Sequence, residues 1–219
     1  MKSEEVLAEI TKQAAICTRC KLQFSRKNAV PGAGNPQAEI LFIGEGPGFH
    51  ENQQGLPFVG AAGKFLDTLL GEANLKREEV FITNVVKCRP PGNREPNIEE
   101  LEACKPYLDR QIAAINPVVI VTLGRISMGY FIHNGKISSI HGRSFWSGGR
   151  LIVPMYHPAA ALHQPSLRDV VKADFSKLPA YVQMAKETIK NNPELAELNQ
   201  MDMDDDSQDE GKAEQLNLL

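Results

Sequence analysis

Four cysteines are all that this 219-residue chain contains, and they fall as two pairs: Cys17 and Cys20 as C-x2-C, then Cys88 and Cys104 with fifteen residues between them. A C-x2-C turn presents two thiolates together, and a looser second pair folded back onto it completes four ligands around one inorganic centre. Two disulfides would require an oxidising compartment. The N-terminus MKSEEVLAEI is charged and lacks an apolar export segment, so a reducing cytoplasm is expected instead. Spacing leaves zinc and an iron–sulfur cluster both open. Arg19, Lys21, Lys87 and Arg89 flank the cysteines, so the centre stands in basic surroundings, as a structural element beside a polyanion would.

Other residues able to do chemistry follow apolar runs. Gly44-Glu45-Gly46-Pro47-Gly48 is a glycine loop with Glu51 just beyond it, Phe58 stands in GLPFVG (55–60), Asn84 shortly precedes Cys88, and His157-Pro158 ends the last run. The glycine loop lacks both the Lys-Ser/Thr of a phosphate-binding loop and the G-x-G-x-x-G spacing of a dinucleotide site, so nucleoside triphosphate and NAD readings are poor. It does let a flat ligand approach the backbone closely.

The elements that must position these residues alternate. Residues 38–44, 80–86, 117–124 and 150–156 are apolar and rich in β-branched side chains, the pattern of buried parallel strands; 61–72, 97–115, 124–132 and 167–189 carry helical patterns. This predicts an α/β protein, a three-layer α/β/α sandwich on a central, mostly parallel four-stranded sheet. Ligands in such sheets bind outside the carboxyl ends of the strands, where the loops above lie.

Composition permits one domain. The chain is 42% hydrophobic and has no apolar run long enough to span a bilayer, which predicts one full core and no membrane partner; a monomer is expected. The net charge of −3 is uneven: nine acidic residues and one basic lie from Pro193 onward, leaving 1–192 with 23 basic and 18 acidic. The expectation is a folded domain over 1–192, mildly basic and so compatible with nucleic acid, and a disordered acidic tail over 193–219.

GEGPG after the first strand, GLPFVG (55–60), ITNVVKCRPP (82–91) and MYHPAAAL (155–162), together with the four cysteines, resemble the family 4 uracil-DNA glycosylases of bacteria and archaea. The resemblance covers roughly residues 10–185, with the motifs in the family's order. It implies the uracil-glycosylase α/β/α fold, a [4Fe-4S] cluster on Cys17, Cys20, Cys88 and Cys104, uracil excision from DNA, and base-excision repair.

The residues also suit that chemistry directly. An enzyme acting on one base must extrude it, stack it, read its edge and stabilise the charge that develops as the bond breaks. Phe58 offers a stacking face, unless it is a core residue. Asn84 can donate to uracil O4 and accept from the ring N–H, a pattern cytosine reverses. His157 is the candidate donor to O2, where charge accumulates. Glu45, where the best-known uracil glycosylases carry aspartate, is expected to position water or stabilise the sugar cation; Gly46 and Glu51 are expected to help hold the base. His141 stands where many relatives carry arginine. A related branch traps the sugar with a histidine in this region, but two serines precede His141 here and turnover is favoured. Asn52 stands where an acid often follows.

DNA contacts are expected at Leu162, a wedge for the gap left by the flipped nucleotide, and at Arg168, with Arg143 and Lys172 as further phosphate partners. The final Gln215-Leu216-Asn217-Leu218-Leu219 resembles the Gln-Leu-x-Leu-Phe peptides that enter the bacterial sliding clamp. The competing readings are a glycosylase with a wider pocket for hypoxanthine or mismatched thymine, a zinc-bearing nucleic-acid-binding module without catalysis, and an electron carrier. Scattered aromatics disfavour the module, and ligands that embrace a whole α/β unit disfavour the carrier.

Overall fold

The computed structural model describes residues 2–201. In chain order the elements are α1 (Ser3–Ala15), β1 (Ala33–Gly34), β2 (Ile40–Gly44), α2 (Phe49–Gln54), α3 (Ala61–Glu72), β3 (Phe81–Asn84), α4 (Ile98–Ile115), β4 (Val119–Leu123), α5 (Arg125–Gly129) and α6 (Ile137–Ile140). There follow β5 (Phe145–Ser147), β6 (Arg150–Met155), α7 (Pro158–His163), α8 (Leu167–Phe175), α9 (Leu178–Asn191) and α10 (Pro193–Met201).

One sheet runs in the order β1-β3-β2-β4-β6-β5. Its four inner strands are parallel, and β1 and β5 pair antiparallel at the two edges. The sheet therefore has six strands, not the four expected. Both additional strands are too short, at two and three residues, to leave an apolar run in the sequence.

Alternation splits each inner strand between two cores. Ile40, Phe42, Val119, Val121, Leu151 and Val153 pack with Leu66, Leu69 and Phe175 on one face; Leu41, Ile43, Ile120 and Ile152 pack with Ile10, Leu108 and Ile112 on the other. With helices over both faces neither register can be polar, which is why these strands read as continuous apolar runs. The helical pattern over 167–189 is two helices, α8 and α9, broken at Ser176 and Lys177 just before Pro179 near the start of α9. The long helix α4 begins with a full capping box: Asn97 Oδ1 accepts from Glu100 N, and Glu100 Oε2 accepts from Asn97 N, both at 2.9 Å. α10 carries helix into the stretch read as an acidic tail. Residues 202–219, with the clamp-like peptide, lie outside the described residues. No described helix is long and apolar enough to cross a membrane.

Candidate functional site

The loops after β2, β3 and β6 meet at the carboxyl end of the sheet around an open pocket of about 440 Å³, lined among others by Glu45, Gly46, Glu51, Phe58, Asn84 and His157. The six catalytic and base-binding residues expected from sequence are thus brought together.

Asn84 ends β3 and is 2% exposed. Its Oδ1 is buried without a hydrogen-bond partner. Such an orphan acceptor in a native fold calls for a ligand, because an unmade bond there costs about 1–3 kcal/mol. Beside it lies the ring of Phe58, itself held at φ +52°. Both come close to Gly44, where a Cβ would stand 2.4 Å from Asn84 Oδ1 and 2.9 Å from the Phe58 ring. Phe58 is 6% exposed and packs into the core while also forming pocket wall, so the stacking and core readings describe the same ring.

His157 caps α7, its Nδ1 accepting from Ala159 N at 3.1 Å. In the neutral ring this leaves the proton on Nε2, which is then a donor. Burial pushes the imidazole down to about 4, against a smaller opposing effect of Glu51, so the ring is neutral at physiological pH. Glu45 lines the pocket and is half-buried. Burial raises its carboxyl above the usual range, the like charge of Glu95 adds to this, and Arg125 opposes it.

Glu51 has a definite structural task. Its Oε1 accepts from Val59 N and Gly60 N, each at 2.9 Å, and so holds the segment that carries Phe58 and starts α3. Asn52 is buried and turned away from the pocket; its Oδ1 accepts from Lys27 N at 2.9 Å and pins the incoming chain. The sequence reading missed Pro90, Asn93, Arg94, Ala159 and His163 as lining residues, and Gly63, whose missing Cβ lets α3 approach the Phe58 carbonyl. RPPGNR (89–94), which overlaps the end of the ITNVVKCRPP motif, was the available signal for the first three.

Leu162 and Arg168 lie on α7 and α8 and are not among the lining residues, although His163, next to Leu162, is; Leu162 is partly exposed and Arg168 exposed. Arg168 Nε donates to Ala161 O at 3.3 Å, tying α8 to α7. Lys172 is paired with Glu72 at 2.8 Å, and Arg143 lies over the Phe145 ring. His141 faces Asp174, with Nδ1 to Oδ2 at 2.6 Å, and packs on the Tyr156 ring; it is not part of the pocket lining.

All four cysteines are free thiols and line a second, small cavity between the end of α1, the loop after β3 and α4. Arg26 Nη1 donates to Cys88 Sγ at 3.5 Å and the Lys87 amide to Cys104 Sγ at 3.2 Å. Burial pushes the Cys104 thiol up to about 11, with Lys87 opposing, and the thiols of Cys20 and Cys88 also up. No group of three or more His, Cys, Asp or Glu among the described residues is arranged to hold a single metal ion.

The uracil DNA glycosylase superfamily model matches residues 31–186. The type-4 uracil-DNA glycosylase of Sulfurisphaera tokodaii is 49% identical over 182 residues, which cover 78% of this chain and 83% of the relative. The chain belongs to the type-4 uracil-DNA glycosylase family. Relatives of that name from Saccharolobus solfataricus and Archaeoglobus fulgidus are 50% and 46% identical, over 81% and 80% of this chain and 83% and 92% of their own. The type-4 assignment, first suggested by the motifs around the pocket and the four cysteines, thus extends over most of the chain.

Proposed function

We propose that this chain is a uracil-DNA glycosylase, hydrolysing the N-glycosidic bond of a deoxyuridine flipped out of DNA and so opening base-excision repair. The observation that carries the reading is the orphaned Asn84 Oδ1 beside Phe58 and His157. Uracil laid against Phe58 would donate its N3–H to that oxygen and accept at O4 from Asn84 Nδ2. Cytosine presents the inverse edge and leaves two buried groups unpaired, at about 1–3 kcal/mol each. As the bond breaks, charge moves onto the base, and His157 Nε2–H donates to O2, more strongly in the transition state than in the ground state. The neutral imidazole can fill this role because, with Nδ1 accepting from Ala159 N, its Nε2–H remains to donate to O2 without the proton being transferred. Glu45 is the carboxyl available to orient the attacking water or to stabilise the sugar cation. Leu162 and Arg168 would meet the DNA beside the pocket.

The four cysteines fit a [4Fe-4S] cluster. The donors are all sulfur, they surround one cavity, and two of them already receive N–H donors of the kind that tune such centres. A cluster also accepts thiolates as widely and unequally spaced in sequence as these, where zinc sites usually draw two compact pairs. Bound there, it would cross-link the end of α1, the loop after β3 and α4.

Purified protein should release uracil from uracil-containing oligonucleotides, seen as strand breaks after alkali, and leave cytosine intact; hypoxanthine and mismatched thymine substrates test the wider-pocket reading. No release from any substrate would overturn the assignment. Protein prepared without oxygen should be brown and carry about four irons per chain, whereas colourless protein with one zinc would overturn the cluster. The enzyme is proposed to act as a cytoplasmic monomer, with Gln215–Leu219 docking on a sliding clamp. Deleting 215–219 should leave excision on short oligonucleotides intact and abolish clamp binding; equal clamp binding with and without them would refute the docking.

A further inference from the structure

One buried lysine touches both the cysteine cavity and the base-reading residue. Lys87 is 1% exposed. Its backbone N–H donates to Cys104 Sγ at 3.2 Å, while its Nζ curls back to donate to the Asn84 carbonyl at 2.6 Å and to Thr83 Oγ1 at 2.9 Å. Thr83 Oγ1 donates in turn to the Pro31 carbonyl at 2.7 Å, which also accepts from Gln111 Nε2 at 2.6 Å, so the lysine head sits in a braced polar knot between β3 and α4.

Both oxygens that the ammonium contacts are neutral, and no carboxylate among the described residues lies within ion-pair distance of it. A buried charge without a counter-charge is costly. Asp109 acts on the ammonium only from beyond ion-pair distance, and the groups bonded or adjacent to the residue itself are thiols: Cys104 accepts from its own amide and Cys88 is its chain neighbour. Four thiolates outweigh the positive charge of an iron–sulfur core, so an assembled centre would give this cation its missing partner.

We infer that Lys87 is a positioning residue, through which the seating of the four-cysteine centre fixes the backbone, and hence the carboxamide, of Asn84. The inference rests on the proposed roles of Asn84 and of the four cysteines. It assigns the centre a second consequence besides holding α1 to α4: it sets the geometry of base recognition in a pocket whose lining contains none of the cysteines.

The test uses iron-loaded full-length protein carrying Lys87→Met or Lys87→Gln. The first removes donor and charge; the second keeps a neutral donor. Two quantities are read: inhibition by free uracil, which reports the Asn84 edge, and the rate at which a chelator extracts iron. Lys87→Met should bind free uracil about tenfold or more weakly, as expected for loss of a charge-assisted hydrogen bond, and should lose iron several-fold faster. Lys87→Gln should recover part of the uracil affinity but not the iron retention. Wild-type values for either quantity in Lys87→Met would overturn the inference, because the residue would then serve one site alone. If Lys87→Met does not fold, Lys87→Gln decides, and wild-type iron retention in that variant overturns it. Wild-type protein that neither excises uracil nor binds it would instead sink the underlying functional reading.

Discussion

The ring of Phe58 stacks on the imidazole of His157, with centroids 5.5 Å apart and planes inclined by 29°. The two residues come from segments almost one hundred positions apart, the loop between α2 and α3 and the loop after β6. Their contact places the proposed stacking ring and the proposed donor side by side in the pocket lining. A shift of the Phe58 loop would therefore disturb the imidazole as well as the ring that packs on it.

Replacing His157 with Ala should lower single-turnover excision by about 10²–10³-fold, the usual effect of losing a donor aimed at developing charge, while binding to uracil-containing DNA changes little. Rapid-quench kinetics and a binding titration on the same oligonucleotide separate the two. A parallel fall in affinity and rate would show that the ring holds the ground state instead.

Gly44→Ala should damage catalysis without unfolding the protein. Its Cβ would enter within 2.4 Å of Asn84 Oδ1 and 2.9 Å of the Phe58 ring, both side-chain atoms able to shift. A displacement of about 1 Å in such a site costs about 10²-fold. Gly63→Ala differs, since its Cβ would meet the Phe58 carbonyl oxygen at 1.9 Å and backbone must move. That variant should lose roughly 1–3 kcal/mol of stability. Thermal melts and excision rates of the pair should show the contrast.

Asn84→Asp removes the amide donor to O4 and sets a carboxyl oxygen against that carbonyl. Free-uracil inhibition should weaken by about tenfold or more, by loss of one buried hydrogen bond and repulsion at the same carbonyl. Excision from cytosine-containing strands should be measured alongside, because the variant no longer opposes the cytosine edge. Unchanged uracil inhibition would remove Asn84 from base recognition.

Acid should destabilise the protein through His157. Its folded pKa, about 4, lies below that of an unfolded histidine near 6.5, so between these values the unfolded chain binds a proton that the native state does not. Stability from this group is complete above about pH 6.5, falls as pH drops towards 4 and then levels off. In His157→Gln the melting temperature should decline less across that window. An identical decline in both proteins would assign the acid sensitivity elsewhere.

The four inner strands and the residues that gather at their ends were legible from the chain because each leaves a local mark. A strand covered on both faces must be apolar throughout, as Ile40–Ile43 and Val119–Val121 are, and a parallel sheet sends every β-to-α loop to one edge. Glu45, Phe58, Asn84 and His157 follow from that rule together with the motif resemblance. The edge strands β1 and β5 were not legible, since at two and three residues they exist only through partners far along the chain.

Tertiary structure alone decided how the site residues divide their tasks. Glu51 reads as a base contact in sequence; the fold keeps it in the pocket lining and adds a second task, bringing Val59 N and Gly60 N to its carboxylate so that it anchors the Phe58 loop. Lys87 reads as one of four basic residues flanking the cysteines. Only the closure of β3 against α4 buries it and points its two ends at Cys104 and Asn84. Sequence determines which side chains are present and which strand end they follow. Burial and hydrogen-bond partnership depend on segments that meet only after folding, and these make a common asparagine into an orphaned acceptor and an ordinary histidine into a neutral donor.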